Sequence, residues 1–379
     1  MIRLPLGFQA GGAACGIKPS GKPDLGIIAS ATPLSWAITT TQNRAAAPCV
    51  IRARELWQAG GTLQALVVNS GNANCATGSA VADDLALAEI GAGKLGIPVS
   101  AVLSASTGVI GVKLPVEKIR AGSQELAMGS GLEAFATAIL TTDTRVKVCS
   151  RQVDRAQIVG VAKGSGMIHP QMATMLAFIC TDAQIGQAEL RSNWPEVVAA
   201  TFNQLSVDGD TSTNDLAGIF ASGAAGAVDS GEFWPAVTEV ARDLAQQIAR
   251  DGEGASKLIQ VQVNQAANLA EARRAARAVV ASPLVKTAIH GNDPNWGRVL
   301  AALGNSGAVF APDKVQIFLQ GTLVYQGQAW DFDSDQLSGA LASETVLIAV
   351  NLGAGSEAAE AFGCDLSAEY VRINSLYTT

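Results

Sequence analysis

The chain has 379 residues, more than one typical domain, and with 48% hydrophobic but only 16% charged residues and 39 glycines it has the composition of a compact, loop-rich enzyme. A net charge of -7 offers no basic footprint for phosphate backbones or anionic lipid, which argues against nucleic acid and membrane surfaces as partners. Six cysteines without paired spacing, beside two histidines, suggest neither a disulfide framework nor a metal site, and they read as reduced core residues of a cytoplasmic protein. The N-terminal residues lack the apolar run of a secretory signal, which agrees with that compartment.

Apolar runs at 25–29 and 63–68 alternate with glycine and predict strands. Residues 25–43 carry no formal charge, but Pro33 and several hydroxyls interrupt them, so they make a poor membrane span. Residues 81–95 predict a helix, with Asp83 and Asp84 in its first turn and Lys94 in its last, ending at Gly96 before Pro98. Residues 115–128 and 131–141 predict two more helices, the second running into Thr141 and Thr142. Residues 175–180 predict a buried strand, 190–205 and 231–251 helices, 258–263 a strand, 266–281 a helix, and 315–323 and 347–352 strands. In the 231–251 helix, Val237, Val240, Ala241, Leu244 and Ile248 recur near helical spacing. The expected fold class is mixed α/β (α+β), layered, without the strand–helix alternation of a doubly wound sheet.

Three motifs fail on physical grounds. The glycines at 91–96 fit a dinucleotide fingerprint by letter but fall at a helix C-terminus, where the amides point the wrong way for a pyrophosphate. Residues 16–23 nearly fit a phosphate loop, yet Pro19 and Pro23 remove amides, and Pro23 also replaces the magnesium-binding hydroxyl. Asp208-Gly209-Asp210 begins like a calcium loop, but Thr213 and Ile219 stand where glycine and glutamate are required, so a turn held by Asx hydrogen bonds is expected.

Near the middle of the chain, KGSGMIHPQMATMLAF at 163–178 places a lone threonine hydroxyl, Thr174, between a glycine-rich turn and an apolar run. Gly164 and Gly166 are expected to take backbone angles that a side chain would forbid, and Pro170 disfavours helix at His169. A nucleophile needs such an arrangement, because the bend exposes the hydroxyl while the strand fixes it. A surface turn before a core strand would read the same way. His169, across a proline from Thr174, has no defined reach to it and is expected to be a loop or rim residue.

This segment resembles the self-cleavage motif of the ornithine acetyltransferase family, also called glutamate N-acetyltransferases, whose precursors cut themselves before the threonine. Further stretches match that family in the same order: VVNSGNAN at 67–74, STGVIG at 106–111, TTDT at 141–144, DGEGA at 251–255, GNDPNWGR at 291–298 and residues 370–379. The resemblance implies an N-terminal-nucleophile type of fold, cut between Ala173 and Thr174 into an N-terminal chain of 1–173 and a C-terminal chain of 174–379, assembling as a heterotetramer. It implies acetyl transfer from N-acetylornithine to glutamate by a ping-pong route through acetyl-Thr174, with no cofactor and no metal, and acetyl-CoA as a second candidate donor.

Residue by residue, the resemblance assigns Thr174 as nucleophile, Thr107 and Gly108 as oxyanion donors, and Thr141 or Thr142, Lys163, Glu253, Asn374 and Thr379 as substrate contacts. Without it, Lys163 would read as an exposed lysine, residues 106–108 as a turn joining two strands, and 251–254 equally as a helix-ending turn. GNDPNWGR could shape a pocket rim or be a structural Asx-Pro turn. A threonine hydroxyl holds its proton too tightly to attack unaided. With no well-placed histidine, the economical base is its own α-amino group, of pKa ~7.7–8.0, which exists only once the bond is cut. The rival readings are a paralogous amide acyltransferase or amidohydrolase of secondary metabolism, and a non-catalytic binding protein on the same fold.

Overall fold

In the computed structural model, which describes residues 2–129, 131–169 and 175–376, the apolar runs become strands of two sheets. The expectations for Ala173, Thr174 and Thr379 lie outside the described residues. In chain order the strands are β1 Phe8–Ala13, β2 Leu25–Thr40, β3 Leu63–Asn72, β4 Val102–Val109, β5 Lys147–Val153, β6 Ala156–Lys163 and β7 Leu176–Ala183. They continue with β8 Leu205–Ser206, β9 Leu216–Gly226, β10 Leu258–Ala266, β11 Gln316–Leu319, β12 Thr322–Gln326, β13 Thr345–Asn351 and β14 Glu357–Cys364.

The first sheet runs β4-β3-β2-β9-β7-β6-β5, with β1 added on β2, and the second runs β12-β11-β13-β10-β14-β8. Both are mixed: β3 with β4, β7 with β9, and β10 with β13 are parallel within otherwise largely antiparallel sheets. Strand β2 joins the two halves of the first sheet by changing partner along its length. Leu25 to Ala29 pair with β3, whereas Ser35 to Thr40 pair with β9.

Helices Gln187–Ala200 and Ser230–Arg250 cover one face of this sheet, and the expected stripe Val237, Val240, Ala241, Leu244 and Ile248 is fully buried there. The opposite face buries Trp36, Phe135, Phe178 and Phe220, with the Phe135 and Phe178 rings meeting edge to face at 6.0 Å. Helix Leu269–Ala281 covers β10 and β14 of the second sheet.

Several boundaries differ from the sequence reading for local reasons. The strand expected at 315–323 is a hairpin, because Gln320 and Gly321 both take positive φ (48° and 82°) and turn the chain between β11 and β12. The helix expected at 190–205 stops at Ala200, and the chain then passes through a 3-10 turn, Phe202–Gln204, into β8. The two helices expected at 115–128 and 131–141 contract to Val116–Gly122 and Glu133–Ala138. The helix expected from 266 begins at Leu269, because Ala266 still belongs to β10 and the Asn268 side chain caps the Glu271 amide.

Candidate active site

Thr107 and Gly108 do not sit in a turn: they lie in the last part of β4, beside Ser70 and Gly71 at the end of the parallel strand β3. Gly108 has φ +134°, and a Cβ there would stand 2.3 Å from the Gly71 carbonyl carbon and 2.4 Å from the Asn72 nitrogen. The position is closed to any side chain. Buried amides brace this strand end. Ser106 Oγ donates to Asn69 Oδ1 at 2.7 Å, Asn69 Nδ2 to the Asn72 carbonyl at 2.8 Å, and Asn214 Nδ2 to the Ala73 and Ser106 carbonyls at 2.7 and 2.9 Å. The VVNSGNAN run therefore shapes the loop that flanks the STG strand end.

Lys163, the last residue of β6, is 2% exposed rather than solvated, and its Nζ donates to Thr107 Oγ1 at 3.3 Å. Burial lowers the pKa of its amine, while Asp143, Asp215 and Glu253 pull the other way. Asp143 accepts hydrogen bonds from the Gly164 amide and Lys147 Nζ, both at 2.7 Å, and from the Thr141 amide at 2.9 Å. Burial works against its charge, but Lys163 and Lys147 outweigh burial and hold its carboxyl below the usual carboxylate range. Lys147 also bridges to Asp251 at 2.5 Å, and the Ser165 hydroxyl donates to the Asp251 carbonyl at 2.6 Å. The segments around Thr141, Lys163 and Asp251, far apart in sequence, are thus fastened by one buried charge network.

Glu253 follows directly. Its amide donates to the Ser165 carbonyl at 3.0 Å, and its carboxylate lies against Gly166. Gly164 takes a positive φ of 152° as expected, but Gly166 does not: the second positive φ falls on Met167, at 58°. Gly166 is needed instead for close approach, since a Cβ there would be 2.4 Å from Glu253 Oε2. The helix-ending and pocket readings of 251–254 coincide, because Asp251 caps the C-terminus of helix Ser230–Arg250. Asn374, on the helix Ala368–Leu376, donates through Nδ2 to Glu253 Oε2 at 2.8 Å. That helix is pinned by the Ser367 hydroxyl on the Gly254 carbonyl at 2.6 Å and by the Tyr370 hydroxyl on Asp208 at 3.3 Å.

Thr107, Gly108, Thr141, Thr142, Lys163, Glu253 and Asn374 all line one cavity of about 230 Å³. Both threonines of the 141–142 pair reach it. Sequence reasoning missed one wall, formed by Asp208, Asp210, Ser212, Thr213 and Asn214. The expected Asx turn is present, with Asp208 Oδ1 accepting the Asp210 amide at 3.3 Å. The same carboxylate also takes the Met167 and Ile168 amides at 2.6 and 2.8 Å, fixing the glycine-rich segment to this loop. The available signal was an uninterrupted polar run, Asp208 to Asp215, of which Ser212, Thr213, Asn214 and Asp215 are buried.

Other candidates fall away from the cavity. His169 is half-buried with Nδ1 3.2 Å from Ser206 Oγ, and His290 pairs with Asp365 at 2.7 Å. The GNDPNWGR segment is structural: Asn292 accepts from Lys257 Nζ, Asn295 caps helix Trp296–Gly304, and Trp296 stacks on Tyr325 at 5.1 Å. The amides that a phosphate loop would offer at residues 15–18 are occupied by Asp24, whose carboxylate accepts from Cys15, Ile17 and Lys18 at 2.6, 2.6 and 3.0 Å. Among the described residues, no three His, Cys, Asp or Glu side chains group as metal ligands, and no helix is long and apolar enough to cross a membrane.

Comparison with known proteins gives a consistent result. A model of the ArgJ family matches residues 9–379. The arginine biosynthesis bifunctional protein ArgJ of Thermus thermophilus is 57% identical over 379 residues, covering 100% of both chains. The protein of the same name from Deinococcus radiodurans is 50% identical, covering 100% of this chain and 98% of its own. Among solved structures, the arginine biosynthesis bifunctional protein ArgJ of Bacillus halodurans superposes with a TM-score of 0.52 at 41% identity, over 53% of this chain and 98% of that one.

Proposed function

Because the chain belongs to the ArgJ family, we propose that it moves the acetyl group of N-acetylornithine to glutamate through an ester on Thr174, after cleavage between Ala173 and Thr174. The observation that carries this reading is the convergence of seven carried-over residues, from five separate segments, on one cavity. The arginine-biosynthesis names of the relatives support the substrate class.

The geometry suits the chemistry. Lys163 can only donate, so Thr107 Oγ1 accepts from it and the threonine's own hydrogen is free to point at a developing oxyanion. Gly108 adds a bare amide beside it, and each such donor is worth roughly 3–4 kcal/mol in an acyl-transfer transition state. The Thr174 hydroxyl attacks the acetyl carbonyl, the α-amine takes the hydroxyl proton and returns it to the leaving ornithine nitrogen, and the ester awaits the glutamate amine. Lys163 offers a cation to the α-carboxylate that both substrates carry, and Glu253, steadied by Asn374, offers a carboxylate to ornithine's ammonium group. Thr141, Thr142 and Thr379 complete the substrate contacts.

Self-cleavage divides the chain into 1–173 and 174–379, two of each forming a heterotetramer. The solved relative supports this division, since nearly all of that chain covers only about half of this one, as a single product would. The word bifunctional in the relatives' names supports acetyl-CoA as a second donor. Six buried, unpaired cysteines support a cytoplasmic location.

The test is to supply N-acetylornithine with and without glutamate and quantify products. Ornithine and N-acetylglutamate in equal amounts, dependent on glutamate, is the expected result. Glutamate-independent release of acetate would instead identify an amidohydrolase.

A further inference from the structure

Among the described residues that line the cavity, Glu253, Asp208 and Asp210 present carboxylates, whereas the ammonium is that of Lys163, beside Thr107. This excess of negative charge suits the ammonium of ornithine and opposes glutamate. The side-chain nitrogen of N-acetylornithine and the side-chain carboxylate oxygens of glutamate stand the same number of bonds from the α-carbon. Two substrates that share an anchor for the α-carboxylate therefore bring opposite charges to one place, and the second needs a hydrogen-bond donor there.

Tyr370 stands where that donor is needed. It lies on helix Ala368–Leu376 about one turn before Asn374, and its backbone nitrogen packs against Gly254, the neighbour of Glu253, where a Cβ would lie 2.5 Å away. Its hydroxyl donates to Asp208 Oδ2 across 3.3 Å, a long bond. Asp208 does not depend on it, because the same carboxylate accepts the Met167, Ile168 and Asp210 amides. Other donors on the cavity walls are committed: Asn374 Nδ2 to Glu253 and to the Tyr370 carbonyl at 3.1 Å, and Thr213 Oγ1 to Asn214 Oδ1 at 2.5 Å. Burial, with the carboxylates of Asp208, Glu253 and Asp210, pushes the phenol's pKa up, so the hydroxyl keeps its proton and remains a donor.

We propose that Tyr370 selects the acceptor, its hydroxyl turning from Asp208 to the side-chain carboxylate of glutamate once ornithine has left. The proposal deepens the acetyl-transfer reading and rests on it. Rotation about the phenol C–O bond moves only a hydrogen, so the helix and the contact of Asn374 with Glu253 stay in place through both half-reactions.

A ping-pong route lets each half be read alone. Tyr370→Phe removes the hydroxyl and keeps the ring, and the helix retains its Ser367 contact with Gly254. The expected result is a KM for glutamate raised about tenfold or more, the loss of one charge-assisted hydrogen bond. The first half-reaction, read as the burst of ornithine released from N-acetylornithine without glutamate, should keep its rate and its KM within about twofold. The preference for glutamate over glutamine as acceptor should fall as well, since glutamine brings no charge. A tyrosine that merely pinned the helix would loosen Asn374 and Glu253 and weaken N-acetylornithine too. Equal losses for both substrates, or a variant with the wild-type KM for glutamate, overturn the proposal. If the variant fails to fold, the wild-type protein decides: nitration of Tyr370 by tetranitromethane, read by peptide mass mapping, is expected to slow under saturating glutamate, and a rate that glutamate leaves unchanged overturns the proposal. A wild-type chain that releases no ornithine burst overturns the acetyl-transfer reading and this proposal together, whereas a normal burst beside an unaltered glutamate KM in the variant overturns the proposal alone.

Discussion

Gly166 and Glu253 are packed so closely that one added methyl group on the glycine would lie 2.4 Å from the carboxylate Oε2 and 2.5 Å from its carboxyl carbon. Gly166→Ala should therefore displace the Glu253 side chain and break its hydrogen bond to Asn374. Because the carboxylate can swing away, the fold should survive. The expected outcome is a KM for N-acetylornithine raised about tenfold or more with little change in melting temperature, checked by steady-state kinetics beside thermal unfolding.

Gly108 has no such outlet, since its neighbours are the Gly71 and Asn72 backbone. Gly108→Ala combines a positive φ with a backbone clash and should lower stability by roughly 2–4 kcal/mol. Denaturant unfolding measures the loss. A variant as stable as wild type would show that β3 and β4 can separate without cost.

Lys163→Met removes the buried cation while nearly keeping its volume. Thr107 loses its donor and the substrate carboxylate its anchor, so kcat/KM should fall about a hundredfold or more. Lys163→Arg should not restore it, because the wider guanidinium does not fit a site built for one nitrogen. Kinetics of both variants test the point.

The Asp143 carboxyl is held below its ordinary pKa by Lys163 and Lys147 against the opposing effect of burial. A depressed carboxylate adds stability above its unfolded-state pKa and loses it as pH falls through the folded value. Stability should thus decline below about pH 4, the ordinary carboxylate range. Asp143→Asn should flatten that acid slope and cost most stability at neutral pH, where Lys147 and Lys163 lose a counter-charge. Urea unfolding of both proteins from pH 2 to 7 is the check.

Periodicity made the main elements legible: the buried stripe on helix Ser230–Arg250 and the cores of β2, β3 and β10 are where apolar spacing places them. Boundaries were lost where tertiary contacts or turn chemistry prevailed, as at Gln320, whose positive φ is not encoded by any strong turn residue at that position. Motif resemblance named seven residues that the fold gathers around one cavity, but the electrostatics of that cavity were not legible. Nothing local to Lys163 says that it is buried, because its burial depends on Asp143 and on strand β4, distant in sequence. The 208–214 wall was hidden for the opposite reason. Its polar letters are those of any surface turn, and burial alone distinguishes Ser212 and Asn214 from one.

The most direct measurement is the intact mass of the denatured protein after incubation with N-acetylornithine, before and after adding glutamate. The expected result is a fragment that begins at Thr174, heavier by one acetyl group, which loses that mass when glutamate is added. An uncut chain, or a cut one that never gains the acetyl mass, would contradict acetyl transfer through Thr174.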